Sequence, residues 1–194
     1  LHGEICETVL EMLLDEYVKA RPECTIQKGL ILWNKYKPDN GFLTEIDWTL
    51  FTPECIYLFE CKSYSGKKVM TGAGLLSREN GKSYDVYKQS NIHKETLYAW
   101  FEDFVLPNKT PLIQMCMFNF SQGELEDKRT KTAKMEMPVL DEENLLEYLK
   151  KESSAEKVWN VKILKIAGEK LAAKSKELQK THLRYVQKRH GGGL

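Results

Sequence analysis

The chain has 194 residues, 42% of them hydrophobic and 29% charged, with a formal net charge of +1. That make-up fits one globular domain with at most an appendage and excludes a disordered chain. No apolar run approaches the roughly 20 residues of a membrane helix, and LHGEICETVL at the start lacks the basic end and small-residue cleavage site of a secretory signal.

Residues 3–20 read as a helix, with Ile5, Val9, Met12, Leu13 and Tyr17 at helical spacing. Arg21-Pro22 ends it, because the residue before proline avoids the α region. Strand-like runs follow at 24–33, 43–51 and 55–62, separated by turn signals DNG at 39–41 and TPE at 52–54. Short turns make neighbouring strands antiparallel. Residues 63–82 are glycine-rich and read as loop. Residues 84–105 read as a helix with Val86, Ile92, Leu97, Trp100, Phe101 and Phe104 on its apolar face, and 111–120 as a buried strand. The polar stretch 121–134 reads as a loop or edge hairpin. A helix is expected at 141–151, with Asp141 as N-cap and Asn144 where a capping box has Glu or Gln. Residues 155–189 read as a long helix carrying Leu164, Ala167, Leu171, Leu178 and Tyr185, although VWNVKIL is also strand-like. The order is that of an α/β sandwich with a mixed sheet.

The first residue is not Met, so the chain reads as an excised domain or processed chain, and GGGL at 191–194 as a linker or cloning remnant. Cys6, Cys24, Cys55, Cys61 and Cys116 form no CxxC pair and sit largely in apolar contexts, which suits a reduced, cytoplasmic compartment. His2, His93, His182 and His190 make no zinc-ligand spacing with them. Residues 157–190 carry a run of lysines and arginines opposed only by Glu169 and Glu177, and such a tail on a near-neutral body suggests an anionic partner or a solvated helix face.

The stretch TEIDWTLFTPECIYLFECKSYSG at 44–66 places Glu45, Asp47, Glu60 and Lys62 within buried-looking strands. Charge is costly there unless it is paired or holds a metal. Alternation puts Glu60 and Lys62 on one face, with Cα atoms ~6.6 Å apart, and Phe59 and Cys61 on the other. The turn at 52–54 brings Asp47 roughly opposite the end of the third strand, so Asp47 and Glu60 converge. Two converging carboxylates share a proton or hold a cation, and oxygen donors suit Mg²⁺ or Mn²⁺. A lysine beside them is an ammonium rather than a free base, able to stabilise charge growing on a phosphorane. Acid pair, metal and lysine together describe phosphodiester hydrolysis.

The chain resembles the PD-(D/E)xK nuclease superfamily and, within it, the nuclease-related domain (NERD) family. The resemblance rests on Gly3-Glu4, TEIDW at 44–48, FECKSYSG at 59–66 and QSNIH at 89–93, and covers about residues 1–150. The proline of the superfamily name is absent, since Ile46 precedes Asp47. The resemblance implies a restriction-endonuclease-like α-β-β-β-α-β core, here 1–152; the residues that follow, 153–190, read as a basic helical extension. It implies a catalytic core of Asp47, Glu60 and Lys62, with Gln89 organising the site. Asp47, Glu60, the backbone carbonyl of Cys61 and Glu4 are the implied metal ligands. Gln89, His93 and Thr96 share one helix face. Tyr64, Lys67, Lys68 and His93 are candidates to contact nucleic acid, while Glu45 reads as an exposed strand residue and Trp48 as core.

The expected function is therefore a Mg²⁺- or Mn²⁺-dependent (endo)deoxyribonuclease acting on DNA, with RNA left open. The alternative is a nucleic-acid-binding module that is catalytically inactive or latent. A third reading is a scaffold that forms a homo-oligomer through the C-terminal helix.

Overall fold

The computed structural model describes residues 2–33, 43–64, 66–104, 112–120 and 125–190. The expected turn at 39–41, Ser65, GGGL, and the side chains of Phe104, Arg184, Tyr185, Lys188, Arg189, His2 and His190 lie outside the described residues and side chains.

Helix α1 spans His2–Ala20. Its buried stripe is Cys6, Leu10, Leu14 and Tyr17. The expected face was rotated by about one residue: Ile5 is exposed and Met12 is 67% exposed. The helix is apolar on both flanks of the stripe, so its partner sheet chooses the buried side. Arg21 N–H closes on Val18 C=O at the helix end. The Arg21 guanidinium then forks onto buried Glu54 at 2.9 and 3.2 Å, fastening the helix to the turn after the second strand.

Strands β1 (Thr25–Trp33), β2 (Leu43–Phe51) and β3 (Ile56–Cys61) form the antiparallel meander that the turns predict. Thr52 holds the 52–54 turn, its hydroxyl accepting from Cys55 N–H at 3.0 Å and donating to Cys55 C=O at 2.8 Å. The segments expected as loops, together with the start of the helix expected at 84–105, contain a second sheet. It is built from β4 (Lys68–Met70), β5 (Leu75–Arg78), β6 (Ser83–Asp85) and, after α2 (Val86–Phe104) and β7 (Ile113–Phe118), β8 (Leu125–Asp127). Strands of three or four residues carry too little alternation to stand out from a loop. Helix α3 (Lys131–Glu136), capped by Thr130, and the short β9 (Val139–Leu140) follow.

The main sheet runs β1-β2-β3-β7-β9. β3–β7 and β7–β9 are parallel, so the sheet is mixed. Helices α1 and α4 (Leu145–Glu152) cover one face, where Trp48, Leu50, Tyr57 and Phe59 meet Leu10, Leu14 and Leu149. Asp141 does not cap α4 as expected. It closes the preceding turn, accepting from the N–H groups of Glu143 and Asn144, and the helix begins only at Leu145. Helices α2 and α5 (Val161–His190) contribute Leu97, Phe101, Leu164, Ala167 and Leu171 to the other core, with Ile56, Leu58 and Met115. Residues on both sides of position 152 thus share one core. VWNVKIL is helical from Val161 onward, because Leu164 and Ala167 find a helix-spaced place against β1.

The alternation of the first two strands breaks at one level. Gly29, with φ of 61°, lies across from Asp47 in the register. Before it, Ile26 and Lys28 lie with Trp48 on the α1 side; beyond it, Leu30, Leu32 and Ile46 lie in the α2–α5 core. Only a residue without a Cβ enters the left-handed region so readily. The irregularity therefore sits beside the carboxylate that carries the site.

Candidate active site

Pairing between β2 and β3 runs from Phe51↔Ile56 to Trp48↔Phe59 and stops there. One more step would face Asp47 against Glu60. The strands part instead, and Cys61 N–H donates to Asp47 Oδ2 at 2.8 Å. The carboxylate takes the place of the next ladder carbonyl, which fixes Asp47 at the opening between the strands. On the other edge Lys62 N–H donates to Phe118 C=O, so β3 stays anchored to β7 through the site.

Glu60 and Lys62 share a face, as the alternation requires, and the Lys62 ammonium donates to Glu60 Oε1. Glu60 is 2% exposed. Its Oε2 has no hydrogen-bond partner and stands 3.6 Å from His93 Nδ1, which also has none. Burial and the charge of Asp47 push the Glu60 carboxyl up to about 7, with Lys62 and the amide of Gln89 pulling the other way. Asp47 is raised by burial too, opposed by the Cys61 N–H and by Lys62. Burial and then the Lys62 charge push His93 down to about 4, so the imidazole is neutral near pH 7 and its contact with Glu60 is not an ion pair.

Helix α2 presents Gln89, His93 and Thr96 toward the sheet, as their spacing predicts. Asp85 caps its start, accepting from Lys88 N–H at 2.8 Å. A cleft of about 380 Å³ opens between this end of α2 and the start of β2, lined by Leu43, Thr44, Glu45, Asp85, Lys88, Gln89, Ile92 and His93. Asp47, Glu60 and Lys62 are not part of its lining; Gln89 and His93 link the cleft to Glu60. Lys88 and Asp85 also line the cleft, and nothing in their local pattern marks them, although Lys88 directly precedes Gln89.

Glu4 is exposed on the first turn of α1. Glu7, one turn further along, adds a negative charge that helps raise Asp47. Among the described residues there is no group of three or more His, Cys, Asp or Glu that could hold a metal. Lys68 is corrected. It is 1% exposed, and its ammonium ties Tyr64 C=O at 2.9 Å to Asn119 Oδ1 at 3.0 Å, so it joins the two sheets and faces no phosphate. Lys67 is exposed. Tyr64 stacks on Tyr84 at 4.9 Å, with the Arg78 guanidinium 4.4 Å from its ring. Arg78 lies in a segment whose composition reads as loop, and Tyr84 in one whose spacing reads as the start of a helix, so neither stands out as a neighbour of Tyr64. Glu45 stands exposed at the cleft rim and Trp48 is core, both as expected.

All five cysteines are free thiols. No described helix is long and apolar enough to cross a membrane. A family model described as nuclease-related domain matches residues 5–118. Neither the comparison with curated proteins nor that with solved structures returns a match.

Proposed function

The chain belongs to the nuclease-related domain family, and from that premise we propose that it is a metal-dependent nuclease that hydrolyses phosphodiester bonds of DNA. The restriction-endonuclease-like reading of its core belongs to the same proposal. The observation that carries it is the buried Glu60 Oε2, which makes no hydrogen bond, on a carboxyl that the charge of the half-buried Asp47 pushes up. A carboxylate in that position gains a partner when a cation arrives.

The donor set fits Mg²⁺ or Mn²⁺. Mg²⁺ is usually held by one or two carboxylates and completes its shell with waters and phosphate oxygens. Asp47 and Glu60 supply two, and the Cys61 carbonyl is the further oxygen. When bound, the ion polarises the phosphate and lowers the pKa of water. Lys62 sits within reach of the same carboxylate and offers its ammonium to charge developing on the phosphate. Gln89 helps hold Glu60 charged, and the neutral, buried His93 stands 3.6 Å from Glu60 Oε2 at the cleft.

Purified protein is expected to degrade DNA only with Mg²⁺ or Mn²⁺, and Asp47→Ala or Lys62→Ala to lower the rate by at least 100-fold, a few kcal/mol of barrier. Equal cleavage by the wild type and both variants would sink the proposal.

One observation favours a second reading, a nucleic-acid-binding module without hydrolysis: Lys62 is closed onto Glu60 rather than directed at the cleft. Calorimetric titration with Mg²⁺ separates the two. Binding that Asp47→Asn abolishes supports the enzyme.

A further inference from the structure

Helix α5 lies beyond the residues that the family model matches, and its inner face is committed to the fold. The Ser175 hydroxyl accepts from Ile31 N–H at 2.8 Å, on the sheet's outer strand, and lies 3.4 Å from Gly29 C=O. Gly29 is the residue across from Asp47. Two turns further on, His182 Nδ1 comes within 3.7 Å of Glu45 Oε2 at the cleft rim. The helix therefore runs along the edge strand toward the mouth of the cleft.

Its outer face is cationic. Residues 161–183 hold Lys162, Lys165, Lys170, Lys174, Lys176 and Lys180 against Glu169 and Glu177, six positive charges and two negative. Lys174 is engaged by Glu177 at 2.8 Å. Lys162, Lys165, Lys176 and Lys180 are exposed. At 100° per residue these four fall within roughly 60° of one another, on a line ~27 Å long in which the exposed Glu169 sits between Lys165 and Lys176, leaving a net charge of three positives. A duplex presents one phosphate charge per ~1.7 Å of its axis, so such a stripe can follow several successive phosphates.

We propose that the outer face of α5 is a phosphate-binding rail that holds the flank of a DNA duplex whose scissile strand enters the Glu45–Gln89–His93 cleft. The choice of DNA over other polyanions rests on the phosphodiester reading of the cleft, since one continuous polymer then meets both surfaces. The rail itself is positioned by Ser175 and His182 and takes no part in bond cleavage.

The test replaces the four lysines together, K162E/K165E/K176E/K180E, with the four-arginine variant as a control that keeps the charge. Affinity for a fluorescein-labelled 20-base-pair duplex is measured by anisotropy across a salt series. Hydrolysis of bis(p-nitrophenyl) phosphate, which is too small to reach the helix, is measured alongside. The glutamate variant is expected to bind the duplex at least 10-fold more weakly, with a shallower salt dependence, and to hydrolyse the small ester at the wild-type rate. The arginine variant is expected to match the wild type in both. Unchanged duplex affinity and salt slope in the glutamate variant would overturn the rail. So would wild-type binding confined to phosphatidylserine vesicles or poly-glutamate. Absence of small-ester hydrolysis in every protein counts against the cleft chemistry and leaves the duplex measurement to decide the rail.

Discussion

At the scale of single residues the site is a set of charges held where water is scarce. Glu60 releases its proton at about 7 in the folded chain, against an ordinary 4.5. Between those values the unfolded chain binds fewer protons, so rising pH favours unfolding. Glu60's contribution to stability is fully present below 4.5 and is lost as the pH passes 7. Glu60→Gln mimics the protonated state at every pH. It is expected to match the wild type near pH 4 and to exceed it by on the order of 3 kcal/mol at pH 8 without divalent ions. Urea unfolding at the two pH values checks this, and no gain at pH 8 would show that Lys62 already offsets the buried charge. His93 acts in the opposite sense. Its folded value of about 4 lies below the ordinary 6.5, so its contribution is present above 6.5 and lost as the pH falls through 4.

At the scale of elements, two local devices aim the site. The ladder between β2 and β3 ends where Asp47 accepts the Cys61 N–H, which leaves the strands parted by one carboxylate. The Arg21–Glu54 fork ties the end of α1 to the turn that joins those strands. Glu54 is almost fully buried. Arg21→Ala strands its charge and is expected to cost about 3–5 kcal/mol by denaturant unfolding, whereas the double change R21M/E54M recovers most of that loss. A cost below 1 kcal/mol for the single change would mean the helix end is held by Tyr17 and Val18 alone.

At the scale of the whole molecule, α5 closes the fold. Leu164, Ala167 and Leu171 fill the core against β1 and β2, and Ser175 satisfies an N–H on the open edge of the sheet. An uncovered edge strand over an exposed core pairs with other chains. Leu171→Ala is expected to cost about 2–5 kcal/mol in thermal or urea melts. Removal of residues 153–194 is expected to give a chain that aggregates, read by light scattering. A monomeric, cooperatively melting fragment would show that α5 is dispensable.

Local signals in the residues alone were enough to read the meander, the long helices and the shared face of Glu60 and Lys62. Those features follow from short turns, the two-residue period of strands and the spacing of apolar residues, all of which are local. The sequence could not choose which flank of α1 is buried, that Glu7 lends its charge to Asp47, that Lys68 points inward, or that short strands at 68–85 and 125–127 form a second sheet. Each of these depends on what the rest of the chain places opposite a residue, and burial is a property of the packed whole. For the same reason it takes the packed fold to show that the lysine-rich helix shares the core and that its docked face ends at the rim of the cleft.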